Sequence, residues 1–107
     1  MDLEITVSQA QSLLASPTPP LLLDVREPWE YDTAHIDPST LIPMQEIPAR
    51  AFKELDEEAN ILVLCHHGAR SLSVAAWLRN QGFEQAQSVS GGIDAWSRLI
   101  DPSIPRY

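Results

Sequence analysis

Two apolar runs stand out along the chain: Leu21-Leu22-Leu23, which continues past Asp24 to Val25, and Ile61-Leu62-Val63-Leu64. Both are continuous, not alternating, and so predict strands covered on both faces. A shorter run at Ser88-Val89 and weaker ones at Leu3 to Val7 and Leu41-Ile42 are further strand candidates. Helical spacing fills the intervals. Ser8 to Ala15 predicts a helix with Ser8 as a plausible cap, and Glu46 to Leu55 predicts one with Pro48 in its first turn. Ser71 to Asn80 is apolar almost all round and predicts a well-buried helix. Gly82 then suits a left-handed residue after that helix, and Phe83 can fold back on Leu78. A last helix carries Ile93, Trp96 and Ile100 after Gly91-Gly92. Strands alternating with helices predict a parallel sheet with helices on both faces. Ligands in such sheets sit beyond the C-terminal strand ends, where Asp24 and Cys65 fall.

The richest stretch is Cys65-His66-His67-Gly68-Ala69-Arg70-Ser71. It joins the second apolar run to the start of a helix, where backbone N–H groups lack intrahelical partners and the helix dipole is positive. A thiol at this point is expected to be held as its thiolate and to be exposed enough to oxidise readily. Cys65 is therefore read as a nucleophile in an anion cradle that Arg70 closes. A solitary cysteine is more often a small buried hydrophobe, but its place at a strand end before a helix favours the functional reading.

Composition narrows the choice. The 107 residues predict one domain, residues 1–107, with no internal repeat or linker. The formal charge is −8, with one lysine and six arginines, which argues against nucleic acid and anionic membrane partners. No apolar run is long enough to span a bilayer, and the acidic start Met1-Asp2-Leu3-Glu4 does not read as an export signal. One cysteine permits no internal disulfide, and a cytoplasmic location is expected. The adjacent His66 and His67 are expected to diverge, with no further Cys/His cluster, so no metal is expected. They are read as pocket lining, with one imidazole near the entrance. Asp24, Arg26 and Glu27 read as an ion-pair network fixing the loop, and His35 as a tie on the turn before the third strand.

These residues resemble the single-domain rhodaneses, a sulfurtransferase family. The cysteine loop matches C-x-x-G-x-R-S from Cys65 to Ser71. An upstream block is matched by Asp24-Val25-Arg26-Glu27-Pro28-Trp29-Glu30-Tyr31 and His35-Ile36, and a downstream block by Gly82-Phe83 and Gly91-Gly92-Ile93-Asp94-Ala95-Trp96. The resemblance spans essentially the whole chain. Ala34 departs from it, standing where the family usually has glycine. The family implies a five-stranded, mostly parallel sheet flanked by helices on both faces. It also implies sulfane-sulfur transfer from a small anionic donor such as thiosulfate, through a Cys65 persulfide, to cyanide or a thiol acceptor. That acceptor includes a thioredoxin-like or other thiol protein, and no cofactor is implied. The backbone amides of His66, His67, Gly68, Ala69, Arg70 and Ser71 would cradle the terminal sulfur.

Loop length bears on a rival chemistry. Four residues separate Cys65 from Arg70, whereas the related cysteine phosphatases use five, and a phosphoryl group needs the wider cradle. A persulfide relay to a protein partner, a phosphatase and a non-catalytic interaction domain remain the alternatives at this point.

Overall fold

A computed structural model describes residues 1–107. Five strands, β1 (Glu4–Ile5), β2 (Leu21–Asp24), β3 (Thr40–Leu41), β4 (Ile61–Leu64) and β5 (Ala86–Val89), form one sheet of order β1-β5-β4-β2-β3. Every pairing is parallel. The helices are α1 (Val7–Leu14), α2 (Pro28–Thr33), α3 (Ile47–Glu54), α4 (Ala69–Asn80) and α5 (Gly92–Leu99), with a 3-10 turn at Met44–Glu46 before α3.

The two continuous apolar runs become the central pair, β2 and β4, and their two-residue period sorts side chains between two cores. Leu23, Ile61, Val63 and Cys65 enter the core that α3 and α4 cover, together with Ile47, Val74, Leu78 and Phe83. Leu22, Leu62 and Leu64 enter the opposite core with Val7, Ala10, Ile93 and Trp96, beneath α1 and α5. Fully burying an aliphatic or aromatic side chain of this kind contributes about 1.5–3 kcal/mol. Both sheet faces are thus dry, which explains why these strands carry no polar alternation.

Local chemistry sets the helix ends. The cap of α1 is Thr6, not Ser8. Thr6 Oγ1 accepts the Gln9 N–H at 3.1 Å, and Gln9 Oε1 accepts the Thr6 N–H at 2.9 Å. This reciprocal pair satisfies two otherwise unpaired donors, an advantage that a cap at Ser8 lacks. Helix α4 ends as its sequence predicts. Gly82 has φ +105°, its N–H donates to Arg79 O, and the Phe83 N–H donates to Leu78 O at 3.0 Å. The burial of α4 is less complete than its composition suggests. Ser71, Val74, Ala75 and Leu78 form the buried stripe, while Leu72, Ala76 and Trp77 are half-buried.

Helix α2 is absent from the hydrophobic pattern. It is six residues long and starts on Pro28, and Glu30 Oε1 accepts the Glu27 N–H at 2.9 Å at its first turn. Ala34, at its end, is extended at φ −161° and fully compatible with a side chain. The departure from glycine therefore costs the backbone nothing here. No helix is long and apolar enough to cross a membrane.

Candidate active site

Strand β4 delivers Cys65 to the C-terminal edge of the sheet, and Gly68, at φ +107°, turns the chain into α4. The turn wraps the loop around the sulfur. Cys65 Sγ accepts the N–H of Gly68 at 3.1 Å and that of Ser71 at 3.2 Å, and it lies 3.3 Å from Ser71 Oγ. The backbone N–H groups of His66, His67, Ala69 and Arg70 make no hydrogen bond within the protein. They sit at the positive end of α4, so the loop combines two amides on the sulfur with four more that a bound anion can engage.

The thiol itself is buried, with 1% of its surface exposed, which corrects the expectation of an open, readily oxidised sulfur. The reason is packing: Cys65 continues the inward alternation of β4 and shares a core with Val63, Val74 and Ala75. None of the surface grooves is lined by Cys65; the apolar one between Met44, Ile47, Val74 and Trp77 lies elsewhere.

Helix α5 braces the loop from behind. The Ile93 N–H donates to Cys65 O at 2.9 Å and the Asp94 N–H donates to His66 O at 3.1 Å. This approach requires Gly92, whose φ is +60° and where a Cβ would collide with those same two carbonyls. Gly91-Gly92 is thus a docking point for the cysteine loop.

The network expected around Asp24 and Arg26 is present, but its membership differs. Arg26 is completely buried against Asp24, with Nε and Nη2 on the carboxylate at 2.7–3.1 Å. Its remaining N–H groups reach Ala34 O at 2.7 Å, Glu30 O at 3.3 Å and the Tyr107 hydroxyl at 2.8 Å. Tyr107 in turn donates to Glu30 Oε2 at 2.7 Å, and Glu30 grips Arg70 through both carboxylate oxygens, at 2.7 and 2.9 Å. A chain of polar contacts therefore runs from the end of β2 to the start of α4. Glu27 stays out of it and serves through its backbone N–H at the start of α2.

Arg70, expected to turn its guanidinium on an anion, is instead clamped by Glu30. Bidentate pairing with a nearly buried carboxylate outcompetes solvent, and the pairing raises the Arg70 pKa further. The loop's anion-holding capacity consequently rests on its amides. Hydrogen bonding from Arg70, with help from the Glu27 backbone and Tyr107, holds the Glu30 carboxyl at about 2. A depressed carboxyl contributes stability above its unfolded value near 4.5, and that contribution fades as pH falls toward 2. We expect Glu30→Gln to cost roughly 2 kcal/mol at neutral pH, after discounting for the solvent around Arg70. Urea unfolding at neutral pH and at acid pH checks this. The gap between wild type and variant should narrow as pH drops from about 5 to about 2, and a constant gap would contradict the assignment.

His66 and His67 do not diverge. Their ring centroids lie 3.8 Å apart, and the Tyr107 ring stacks on His66 at 3.9 Å. Burial, then the neighbouring His67, lowers the His66 pKa, so that ring is neutral at neutral pH, and its Nε2 is buried without a partner. Ligand atoms of His66, His67 and Asp94 all lie within 4.8 Å of one another, the one grouping that resembles a metal site. Asp94 is already engaged: Oδ2 accepts from Arg98 at 3.1 Å and Oδ1 from Arg106 at 3.0 Å. A cation there would compete with two guanidinium groups for that carboxylate. His35 lies away from this cluster. Its Nδ1 donates to Tyr31 O at 2.9 Å, its Nε2 is 3.0 Å from Asp37 Oδ1, and its ring stacks on Tyr31, so it ties the turn that leads to β3.

Three residues of the site escape sequence reasoning. Glu30 left one trace, the three-residue spacing from Glu27 that marks a helix start. Ser88 shows only as a polar residue inside a buried strand. Tyr107 left no signal at all.

The rhodanese-like domain family model matches residues 6–99. A rhodanese-like/PpiC domain-containing protein, described as chloroplastic, from Arabidopsis thaliana is 40% identical over 89 residues, 80% of this chain and 30% of that protein. An adenylyltransferase and sulfurtransferase, MOCS3-1, from Zea mays is 37% identical over 109 residues, 96% of this chain and 23% of its own length. The chain thus spans less than a third of these relatives. Among solved structures, a rhodanese-like domain protein from Staphylococcus aureus superposes with a TM-score of 0.84 at 27% identity, covering 99% of both chains. The five-stranded parallel sheet and its flanking helices are shared with that structure.

Proposed function

We propose that this chain, which belongs to the rhodanese-like domain family, is a sulfurtransferase that carries sulfane sulfur as a persulfide on Cys65. The observation that carries the reading is the loop itself: two amides on Sγ, and four more N–H groups unpaired at the head of α4. The Cys65 thiolate attacks the outer sulfur of an anionic donor such as thiosulfate. A bond forms between Sγ and that sulfur, the donor's S–S bond breaks, and its electron pair leaves on sulfite. The persulfide's terminal sulfur carries the negative charge and is held by the loop amides, which need no reorganisation as charge moves. A thiol or cyanide then attacks the terminal sulfur, and the electron pair of the breaking bond returns to Cys65 as thiolate. Two half-reactions through a covalent intermediate give ping-pong kinetics.

The four-residue spacing between Cys65 and Arg70 suits a single sulfur atom better than a phosphoryl group. Cys65 must begin each cycle as a free thiolate, which suits a reducing compartment such as the cytoplasm. A second reading, sulfur relay to a protein thiol, is supported by the Zea mays relative, whose name joins sulfur transfer to another activity on one longer chain. Intact-mass spectrometry after incubation with thiosulfate tests the chemistry. One added sulfur atom, removed by cyanide or dithiothreitol, is the expected result, and an unchanged mass would refute thiosulfate as donor. Loading by a persulfidated thiol protein but not by thiosulfate would favour the relay.

A further inference from the structure

One buried polar group that the mechanism leaves unused touches the sulfur's own partner. Ser88, on β5, is completely buried, and its hydroxyl has a single hydrogen-bond partner, Ser71 Oγ at 2.8 Å. Ser71 Oγ also lies 3.3 Å from Cys65 Sγ and 3.2 Å from Gly68 O. A hydroxyl has one proton to give and two lone pairs to receive, so the bonding of this cluster can be enumerated. Either hydroxyl could donate across this contact, but with no other acceptor in reach the Ser88 proton is satisfied only by donating to Ser71 Oγ.

When Cys65 is a thiol, its S–H donates to Ser71 Oγ, which then receives two bonds and gives its own proton to Gly68 O. When Cys65 is a thiolate, no S–H remains, and the Ser71 hydroxyl can turn its proton onto the sulfur. Gly68 O loses nothing essential, because it still accepts the Leu72 N–H at 3.1 Å. Ser71 Oγ now receives only the Ser88 hydroxyl. The same holds once Sγ is bonded to a second sulfur and has no proton to donate.

From this geometry we infer that Ser88 is a positioning residue for the sulfur chemistry: by donating to Ser71, it keeps the Ser71 hydroxyl satisfied and free to turn toward Cys65 in every state that lacks the S–H. The inference rests on the sulfur-transfer reading for its role in turnover. Its physical core concerns only the Cys65 thiolate. Removing Ser88 leaves Ser71 one donor in the thiol state and none in the thiolate, so the loss falls on the reactive form.

The test is alkylation of Cys65 by iodoacetamide at one fixed neutral pH, in parallel with the ultraviolet absorbance of the thiolate. The proteins are wild type, Ser88→Ala, Ser71→Ala and the double variant. Ser88→Ala should alkylate about twofold more slowly, because the bond to Ser71 is lost in both states and only its greater worth in the thiolate shifts the balance, with a matching drop in thiolate absorbance. The double variant should react no more slowly than Ser71→Ala, because Ser88 acts only through Ser71. It also removes the pair together and strands no buried hydroxyl, which keeps a folded variant in the series. Alkylation of Ser88→Ala at the wild-type rate would overturn the inference, and so would a full Ser88 effect in the Ser71→Ala background. Neither readout needs a sulfur donor. Failure of thiosulfate to load the wild-type protein would therefore count against the sulfur-transfer reading alone.

Discussion

Cys65→Ser abolishes sulfur transfer, with an expected loss of at least about four orders of magnitude in turnover, because the covalent carrier is gone. A serine hydroxyl is a poor nucleophile toward sulfane sulfur and forms no persulfide. The fold should survive. Serine is slightly smaller, and the N–H groups of Gly68 and Ser71 that now meet Sγ would meet Oγ. The site belongs to the core beside Val63 and Val74, so a stability loss of about 1 kcal/mol is expected. Steady-state transfer to cyanide, combined with intact mass and thermal unfolding, separates the two effects. Substantial turnover by a folded Cys65→Ser protein would end the persulfide mechanism. A dead but unfolded variant would be read from the melting curve.

Asp24→Ala is expected to have the largest effect on stability. Asp24 and Arg26 are both completely inaccessible, and three Arg26 donors, the backbone N–H, Nε and Nη2, converge on the one carboxylate. Truncating Asp24 leaves a permanently charged guanidinium in a dry site, with only the carbonyls of Glu30 and Ala34 and the Tyr107 hydroxyl to solvate it. Breaking a buried pair from one side costs about 3–5 kcal/mol, a large share of the 5–15 kcal/mol that typically holds a domain together. Urea unfolding at neutral pH measures it. The paired variant Asp24→Ala, Arg26→Met should be less destabilised than Asp24→Ala alone, because the orphaned charge is then removed. If the double variant were worse, the penalty would come from lost packing and not from the charge.

The two variants probe different layers of the site. In the proposed reaction Cys65 carries the transferred sulfur, while Asp24 starts the chain through Arg26, Tyr107 and Glu30 that ends on Arg70, in the first turn of α4 behind the loop. That chain shows how an acidic protein can keep the proposed anion cradle free of net negative charge. Its charges are cancelled pairwise, and the positive field that remains comes from peptide groups fixed by β4, α4 and α5.

The central strands were legible because burial on both faces favours unbroken apolar runs, as Leu21 to Leu23 and Ile61 to Leu64 record. The end of α4 was legible because a glycine at positive φ followed by an apolar residue is a local requirement. Helix α2 was not, because six residues are too few to establish a period, and only Pro28 and the Glu27–Glu30 spacing marked it. The cap at Thr6 was misplaced by two positions because serine and threonine are equivalent by type. Only the bond to Gln9 distinguishes them.

By itself the sequence determined the alternation of strands and helices, the cysteine between β4 and α4, and the four-residue loop to Arg70, because each is written in neighbouring residues. The tertiary structure alone decided that Arg70 answers to Glu30, that Tyr107 joins Arg26 to Glu30 and stacks on His66, and that Ser88 stands behind Ser71. It also decided that the thiol is covered. These contacts join residues 17 to 81 positions apart. Hydrophobic periodicity states which face of an element turns inward, but not which side chain of another element it will meet there.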